Sequence, residues 1–467
     1  MSAPVTVVGA GIAGLAAAHE LYRAGHAVTI VEADGQPGGK LRTSKFAGRL
    51  VDESADAFLL RVPWALDLCR TLGLDAELVH PAARNAYVFS RGELRPLPPQ
   101  VMGVPTDVEA VARGGILSPE GLERLRDDLR HPTGPLTGPD AAIGASIEAR
   151  LGTEALDRLV DPLVGGINAG DTRRLSLAAV VPQLDAVARD PGHASLVEAA
   201  AAAQRRAAAQ PGADPGRPIF AAHPSGMVRL VDALVDAMPD ATWHRGRRAV
   251  AIEPLDGPDR WRTHLDDGAT VGGGVVLAVP AFAAAPLLAP HAAGAAAVLG
   301  AIEHASVALV ALAVRADDVS RPLDGSGFLV PRVEDALLTA CSWASTKWSH
   351  LGAGSGDGTL VLRASAGRAG DERALDLDDA DLVEQLVDDL GRTMGLSGAP
   401  TEVRVNRWVD SFPQYAPGHP DRIADVIRDL ATRTPGLALA GAALHGVGIP
   451  ACIRSGLDAA RLVSGDI

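Results

Sequence analysis

Residues 5–32, VTVVGAGIAGLAAAHELYRAGHAVTIVE, constrain the fold more than any other part of this 467-residue chain. An apolar run at residues 5–8 predicts a buried strand, and a helical pattern of leucine and alanine follows. A β-rich run at residues 28–31 ends on Glu32. The glycines between the first strand and the helix have the spacing G-x-G-x-x-G: Gly9, Gly11 and Gly14. The segment predicts a complete βαβ unit with two parallel strands.

The glycine turn of this unit predicts a site for a dinucleotide pyrophosphate. Gly9 allows the tight turn, Gly11 lets the backbone approach the phosphates, and Gly14 lets helix and strand pack closely. The start of the helix offers free N–H groups and a partial positive charge. Glu32, at the end of the second strand, is placed to accept hydrogen bonds from an adenosine ribose.

Composition and charge exclude several classes of protein. The net charge of −14 argues against general binding to nucleic acid or anionic lipid. The three cysteines are few, distant and odd in number, so we expect neither a disulfide framework nor a metal site, which fits a reducing cytoplasm. The first strand starts within five residues and no clean run of about 20 apolar residues occurs. We therefore expect no signal peptide and no membrane span.

The two ends of the chain carry similar glycine-rich turns, and the middle differs from both. Residues 437–440 predict a last strand, residues 441–448 a turn and residues 450–463 a helix. Much of the region from residue 96 to 190 has helical patterns, including one predicted amphipathic helix over residues 146–160. The simplest fold brings the two terminal turns together over one cofactor and inserts the middle as further domains.

A second glycine pair, Gly38 and Gly39, lies just past the predicted ribose-binding acid and is followed by Lys40 and Arg42. The pair allows a backbone to press on the pyrophosphate from the other side, and the two cations can offset phosphate or carboxylate charge. This pattern resembles the amine oxidase-like FAD superfamily and not the nicotinamide dehydrogenases.

Longer motifs narrow the resemblance further. They are VMGVPT at 101–106, DPLVGGINAGDTRRLSL at 161–177, TACSW at 339–343, LRASAGRAGDE at 362–372, RWVDSFPQYAPGH at 407–419 and GVGIPACI at 446–453. Together they resemble the FAD-dependent porphyrinogen oxidases of haem synthesis, and most of all their soluble Gram-positive type. The resemblance covers nearly the whole chain.

The resemblance implies an α/β protein: a Rossmann-like FAD-binding domain with an inserted α+β substrate domain and a helical domain. The implied divisions are 1–75, 222–289 and 435–467 for FAD, 92–195 for the helical domain, and 76–91, 196–221 and 290–434 for substrate. The implied FAD contacts are Gly9, Ala10, Gly11, Ile12, Ala13, Gly14, Glu32, Ala33, Gly39, Lys40, Ser54, Ala55, Asp56, Ala57, Val250, Trp408, Val447, Gly448 and Ile449. The residues expected near substrate are Arg61, Asn168, Lys347 and Arg407, and Lys40 is a further cation for its propionates.

Two positions depart from the family pattern. Ser54, Ala55, Asp56 and Ala57 stand where the family usually has Gly-Pro-Asp-Ser facing the flavin. Asn168 stands where a tyrosine usually precedes Ala-Gly-Asp. A glycine permits closer approach than a serine, so Ser54 must adopt a compatible backbone or shift the loop.

The implied reaction is the aerobic oxidation of a colourless cyclic tetrapyrrole to a porphyrin, with release of H2O2. Each of three rounds removes a hydride from a meso carbon and a proton from a pyrrole nitrogen. The flavin carries the chemistry, so no catalytic side chain is assigned. The missing membrane segment favours the water-soluble tetra-acid coproporphyrinogen III over protoporphyrinogen IX. A ferrochelatase is an implied acceptor of the product, although no residue pattern marks that contact.

Three alternatives remain at this point. The chain can be a protoporphyrinogen IX oxidase with the same fold. It can be another amine oxidase-like flavoenzyme, such as a polyamine oxidase or a carotenoid desaturase, although aromatic residues are only 3% of the chain, few for an aromatic cage around the flavin. It can also be a flavin-binding protein without turnover that acts through partner contacts.

Overall fold

The structure is a computed structural model that describes residues 3–210, 214, 216–256, 260–352 and 358–465. The strands are β1 (Val5–Val8), β2 (Val28–Glu32), β3 (Thr43–Phe46), β4 (Arg49–Asp52), β5 (Phe58–Leu59), β6 (Tyr87–Ser90), β7 (Glu93–Pro96), β8 (Gln100–Val101), β9 (Val104–Pro105), β10 (Phe220–Ala221), β11 (Thr242–Arg245), β12 (Ala249–Pro254), β13 (Trp261–Leu265), β14 (Thr270–Leu277), β15 (His304–Arg315), β16 (Gly327–Leu329), β17 (Leu338–Ser342), β18 (Thr359–Ala366), β19 (Glu402–Pro413) and β20 (Leu437–Leu439).

The α-helices are α1 (Ile12–Arg23), α2 (Trp64–Thr71), α3 (Val108–Gly114), α4 (Pro119–Arg130), α5 (Ile143–Leu151), α6 (Thr153–Ala155), α7 (Gly166–Asn168), α8 (Leu177–Val180), α9 (Pro182–Ala188), α10 (Leu196–Ala208), α11 (Val228–Asp236), α12 (Ala281–Leu288), α13 (Ala293–Gly300), α14 (Ala344–Lys347), α15 (Arg373–Asp376), α16 (Asp379–Met394), α17 (His419–Arg433), α18 (Ala442–His445) and α19 (Ile449–Ser464). A π-helical segment, Leu156–Gly165, connects α6 to α7.

The first sheet joins the two ends of the chain. Its parallel strands have the order β11-β2-β1-β14-β20, and β13 and β12 extend it antiparallel. Strand β14 serves both parts, because residues 270–273 pair with β13 and residues 274–277 pair with β1. All four residues of β1 are buried, as expected for a parallel strand covered on both faces.

Helices α1 and α19 lie against each other beside this sheet. A Cβ atom on Gly456 would overlap the carbonyl oxygen of Ala13, so the two helices approach more closely there than side chains would allow. Each helix follows a strand of the parallel sheet, β1 or β20. Their N-termini therefore lie at the same edge of the sheet, beyond the carboxyl ends of its strands.

The second sheet has the order β19-β15-β18-β17-β16-β6-β7, and all its pairs are antiparallel except β16 with β6. Helix α16 covers part of it with Leu382, Leu386 and Leu390, a buried row at four-residue spacing. The register of β15 with β19 shifts between Ala305 and Val307. Their partners, Phe412 and Trp408, are four residues apart, so β19 bulges at residues 409–411 opposite Ser306.

A third core lies among α3, α4, α5, the π-helical segment and α8–α10. The sequence prediction of one helix over residues 146–160 is wrong, because α5 ends at Leu151. Gly152 has a φ of +88°, and the chain continues through α6 into the π-helical segment. In the part of the chain that the structure describes, none of the helices is long and apolar enough to cross a membrane.

Candidate functional site

The glycine turn after β1 has the geometry that the sequence predicts. Gly9 has a φ of +101°, and its N–H donates to the Val31 carbonyl at 2.8 Å. A Cβ atom on Gly9 would lie 2.8 Å from the Ala278 carbonyl oxygen, and one on Gly14 would overlap the Gly9 carbonyl oxygen. Side chains are therefore sterically excluded at both positions.

The second glycine pair lies directly against the first turn. The Gly38 N–H donates to the Ala10 carbonyl at 2.8 Å, and Gly38 and Gly39 both have positive φ values. A Cβ atom on Gly39 would lie 3.3 Å from the Gly11 Cα, whereas one on Gly11 would meet no atom within 4 Å. The stacked turns therefore leave an open, backbone-lined face at Gly11, where a phosphate can approach.

Glu32 lies buried at the end of β2 beside the first turn. Its carboxylate accepts hydrogen bonds from the N–H of Ala10 at 2.6 Å and from that of Asp34 at 2.8 Å. The neighbouring Ala33 is exposed, and the Arg247 N–H donates to the Glu32 carbonyl at 2.9 Å. Val250 lies three residues beyond Arg247, at the irregular start of β12, and its side chain is 57% exposed. The family resemblance implies that the backbone of Val250 contacts the adenine of FAD, and this contact stays a prediction.

The C-terminal turn comes to the same sheet edge. Gly446 has a φ of +141°, and Gly448 is the N-cap of α19. Neither α19 nor α1, whose N-cap is Gly11, has a side-chain cap at its N-terminus. Their first N–H groups therefore remain available to an anionic ligand. We call the turns at residues 9–14, 38–39 and 446–448 the cradle.

Lys40 connects the cradle to the second sheet. Its ammonium donates to the Ser411 carbonyl and lies 5.4 Å from the ring centre of Phe412. Burial lowers the pKa of Lys40, and the nearby Cys452 opposes that shift. Arg42 lies 5.9 Å from the ring centre of Trp408. Cations that follow the second glycine pair thus contact aromatic residues of β19.

Asp56 is the centre of a charged cluster that fixes the loop after β4. Its carboxylate accepts from Lys347 Nζ and Trp348 Nε1, each at 2.9 Å, and lies 3.2 Å from a guanidinium nitrogen of Arg363. Burial alone would raise the pKa of Asp56, but the charges of Lys347 and Arg363 hold it well below its usual range. We call Asp56, Lys347, Trp348 and Arg363 the Asp56 cluster.

Backbone contacts hold the same loop from the other side. Trp408 Nε1 donates to the Glu53 carbonyl at 3.1 Å, and Arg363 donates to the Ser54 carbonyl. Ser54 is not among the described non-glycine residues with positive φ, so it occupies the family's glycine position without left-handed strain. Ala55 and Ala57 are partly buried and pack against the apolar core beneath the cradle.

A small apolar surface borders this loop. We call it the apolar patch: Ala169, Ala305, Val307, Leu309, Ala369, Trp408 and Phe412. Leu309, Ala369, Trp408 and Phe412 are only partly buried. Phe412 contacts Lys40 and Trp408 contacts Arg42, and these two cations directly follow the glycine pair at residues 38–39. The patch therefore adjoins the cradle. Apolar side chains with an accessible face suit a flat, largely apolar ligand.

The residues expected near substrate lie in different surroundings. Arg61 is exposed, and its nearest hydrogen-bond partner is Gln183 Oε1 at 3.4 Å. Asn168 is buried. Its side-chain amide donates to the Val164 carbonyl at 2.9 Å, and its backbone carbonyl accepts from the side-chain amide of Gln414 at 3.1 Å. Asn168 therefore fixes the backbone next to Ala169 of the apolar patch. Lys347 is held in the Asp56 cluster.

Arg407 requires a correction. It precedes Trp408 in β19, and successive strand residues point to opposite faces of a sheet. Its guanidinium donates to Asp379 Oδ1 and to the carbonyls of Ala374 and Leu377 at 2.8–3.1 Å. It thus faces α15 and α16, away from the loop that Trp408 contacts. We exclude Arg407 from the proposed substrate cations.

Sequence reasoning missed Arg363 and Trp348, although both lie near motifs used for the resemblance. A cation inside the apolar strand β18 was the available signal for Arg363, since a charge there needs a partner. The two interactions of Arg363 with the loop after β4, the ion pair with Asp56 and the hydrogen bond to the Ser54 carbonyl, each join residues about 300 positions apart. Within the described residues, no group of three or more His, Cys, Asp or Glu side chains is arranged to hold a metal ion.

The fold and the cradle define an α/β flavoprotein oxidoreductase. A family model described as flavin containing amine oxidoreductase matches residues 12–464, and the chain belongs to this family. A coproporphyrinogen III oxidase of Bacillus subtilis (strain 168) is 32% identical over 97% of this chain and 96% of its own length. One of Mycobacterium tuberculosis (strain ATCC 25618 / H37Rv) is 35% identical over 96% of this chain and 94% of its own.

Solved structures agree with this assignment. A putative protoporphyrinogen oxidase from Exiguobacterium sp. 255-15 superimposes with a TM-score of 0.86 at 29% identity, covering 100% of both chains. A reduced UDP-galactopyranose mutase shares the fold with a TM-score of 0.74 at 16% identity, covering 100% of this chain and 96% of the other. The family and the open face at Gly11 together identify a flavin as the cofactor.

Proposed function

We propose that this chain oxidises coproporphyrinogen III to coproporphyrin III, with FAD as cofactor and O2 as electron acceptor. The observation that carries the proposal is the match along nearly the full length of both chains to enzymes named for this reaction. The apolar patch beside the cradle supports it, because a tetrapyrrole offers a broad apolar ring to such a surface.

The residues of the cradle fit FAD. We assign Glu32 to the adenosine ribose, and the open face at Gly11 with the start of α1 to the diphosphate. The loop at residues 54–57 directly follows Glu53, whose carbonyl accepts a hydrogen bond from Trp408 of the apolar patch. This loop, the start of α19 at Gly448, Lys40 and Trp408 are proposed to meet the flavin ring. When bound, FAD supplies the two-electron oxidations and passes the electrons to O2.

The protein contributes position and exclusion. The overall reaction removes six hydrogens from the porphyrinogen in three rounds, and three O2 molecules become three H2O2. The Asp56 cluster holds one wall rigid through hydrogen bonds and ion pairs. The apolar patch holds the ring of the substrate against the cofactor, and such positioning supplies much of the rate of a flavin reaction.

The cations near the proposed site favour coproporphyrinogen III, a tetra-acid, over protoporphyrinogen IX as the substrate. Coproporphyrinogen III carries four propionates, whereas protoporphyrinogen IX carries two propionates and two apolar vinyl groups. Lys40 and Arg61 remain the proposed cations for these groups from the sequence prediction, with Lys40 adjoining the patch through Phe412. We further propose that the enzyme acts in the cytoplasm and passes its product to a ferrochelatase, which inserts iron into the finished macrocycle.

One fluorimetric experiment tests the proposal. The purified protein is supplied aerobically with coproporphyrinogen III or with protoporphyrinogen IX, and red porphyrin emission, O2 uptake and H2O2 are followed. The flavin released on denaturation is identified by chromatography. We expect FAD and faster oxidation of coproporphyrinogen III. Faster oxidation of protoporphyrinogen IX would assign the alternative substrate, and bound flavin without O2 uptake would refute the oxidase.

A further inference from the structure

Arg368 is a buried cation whose guanidinium has no hydrogen-bond or ion-pair partner among the described residues. It lies just after β18, only 8% of it is exposed, and its Nε has no hydrogen-bond partner. Buried charges in proteins are normally paired, since an isolated one loses its hydration without compensation. The other charged groups near Arg368 must therefore be considered one by one.

The neighbouring carboxylates are already engaged elsewhere. Asp371 forms a two-bond pair with Arg373, at 2.8 and 2.9 Å. Asp161 is buried; it accepts hydrogen bonds from the Thr172 N–H at 3.2 Å and hydroxyl at 2.7 Å, and lies 3.5 Å from Arg332 Nε.

Arg332 is in turn fixed by the backbone. Its guanidinium donates to the carbonyls of Gly170 at 2.8 Å and Ala369 at 3.1 Å. The Arg368 guanidinium therefore lies near Asp161 and Asp371 without a hydrogen bond to either carboxylate, while each of these carboxylates is in closer contact with another arginine. Burial and the charge of Arg332 lower the pKa of Arg368 to about 10, so it remains protonated at neutral pH.

Arg368 is next in the chain to a residue of the apolar patch. Its neighbour Ala369 belongs to the patch, and the Ala369 N–H donates to the carbonyl of Ala169, another member, at 2.8 Å. Gly367 has a φ of +88°, and a Cβ atom there would lie 2.9 Å from the Ser306 carbonyl. This contact presses the turn that carries Arg368 onto β15 at the residue opposite the bulge of β19, at the side of the patch formed by Ala169 and Ala369.

We propose that Arg368 binds a carboxylate of the substrate while the ring of the substrate lies on the apolar patch. The guanidinium fork matches a carboxylate with two parallel hydrogen bonds, and such a bond is strongest where water is excluded. The arrangement selects a broad, apolar macrocycle with an acidic rim. The inference rests on the proposed function, of which it names one substrate-binding residue.

The test compares Arg368→Gln with Arg368→Lys and with the matched control Arg407→Gln, a change of the same chemistry on the far face of the same sheet. Binding of the product coproporphyrin III is measured by fluorescence quenching, and KM and kcat by aerobic turnover of coproporphyrinogen III. In Arg368→Gln we expect Kd and KM to rise about ten- to a hundredfold, the loss of a charge-assisted pair, with a smaller change in kcat.

Further readouts separate binding from structure. Arg368→Gln should keep the flavin content and thermal midpoint of the wild type, because the guanidinium makes no hydrogen bond or ion pair with the described residues. Added guanidinium ion should restore part of its affinity, and Arg368→Lys should lie between it and the wild type. The control Arg407→Gln should keep the Kd and KM of the wild type.

Two results overturn the role of Arg368. One is an Arg368→Gln variant with unchanged Kd and KM, and the other is an unstable Arg368→Gln variant, which would show that the guanidinium is needed by the fold itself. A wild-type protein that oxidises no porphyrinogen is a different outcome, because it removes the proposed function and with it the substrate that Arg368 would bind.

Discussion

The cradle and the Asp56 cluster both hold the cofactor side of the molecule in shape, but by different physical means. The cradle consists of backbone whose shape depends on missing side chains, at Gly9, Gly14 and Gly39. The Asp56 cluster consists of long side chains that meet from β18 and α14, and one carboxylate balances two cations. A side chain added to the cradle would therefore overlap backbone atoms, whereas removal of the carboxylate from the Asp56 cluster would leave two cations without a counter-charge.

The largest effect should come from filling the cradle. Gly14→Val would drive a side chain into the Gly9 carbonyl and the Ala278 side chain, and we expect destabilisation of more than about 4 kcal/mol with no bound flavin. Visible flavin absorbance per protein and chemical denaturation measure both quantities. Gly35→Ala is the control, since a Cβ atom there meets nothing within 4 Å. Normal flavin content in Gly14→Val would contradict the packing described.

Breaking the charge balance should cost less than filling the cradle. Asp56→Asn leaves Lys347 and Arg363 without their carboxylate, and we expect a loss of about 3–5 kcal/mol of unfolding free energy. Denaturant titration of the flavin-bound protein measures it. The control is Asp379→Asn, whose side chain is 67% exposed and should lose about 1 kcal/mol or less. Equal losses in the two variants would show that the cluster is not a structural unit.

A smaller, pH-dependent effect should arise near the C-terminal turn. His419 is buried; its ring stacks on Tyr415 and its Nε2 lies 3.2 Å from the Leu444 carbonyl oxygen, and burial lowers its pKa to about 4. Between pH 6.5 and 4 the unfolded chain binds a proton that the folded chain does not. Stability contributed by neutral His419 is therefore fully present above pH 6.5 and is lost as pH falls toward 4.

The loss should reach about 3 kcal/mol at pH 4, from the size of the pKa shift. It is measured as the difference in unfolding free energy between the wild type and His419→Gln across this range, so that other titrating groups cancel. A difference that does not change with pH would refute the assignment to His419.

The smallest effect should come from Val250→Ala. Its side chain is 57% exposed and its predicted contact with adenine uses only the backbone, so stability should change by less than about 0.5 kcal/mol. Flavin affinity should also stay at the wild-type value, which a titration of the apoprotein with FAD measures. A clear loss of affinity would mean that the side chain, and not the backbone, meets the cofactor.

The first glycine turn of the cradle was predictable because its information is local. The turn at residues 9–14 is specified by neighbouring strands, a helix and glycines within one βαβ unit. The Asp56 cluster was not predictable in the same way, since Asp56 and Arg363 are 307 positions apart and only the folded sheet brings them together. Sequence showed the separate charges but not which of them pair.

In the helical region, the sequence prediction of one helix over residues 146–160 was wrong for a different reason. Residues 146–160 keep an apolar periodicity, yet Gly152 turns the backbone to positive φ, where a Cβ atom would press on Arg124. The periodicity survives on both sides of the break because both sides face the same core. Apolar spacing therefore reports which residues are buried more reliably than where a helix ends.

The pairing of β20 with β14 has a consequence for biosynthesis. Residues 437–439 add the last parallel strand, and α19 then supplies the helix start at Gly448. During translation the first βαβ unit emerges some 400 positions before these elements. A nascent chain on the ribosome thus carries only the N-terminal turns of the cradle, and the cradle is complete only after residues 437–464 have left the exit tunnel.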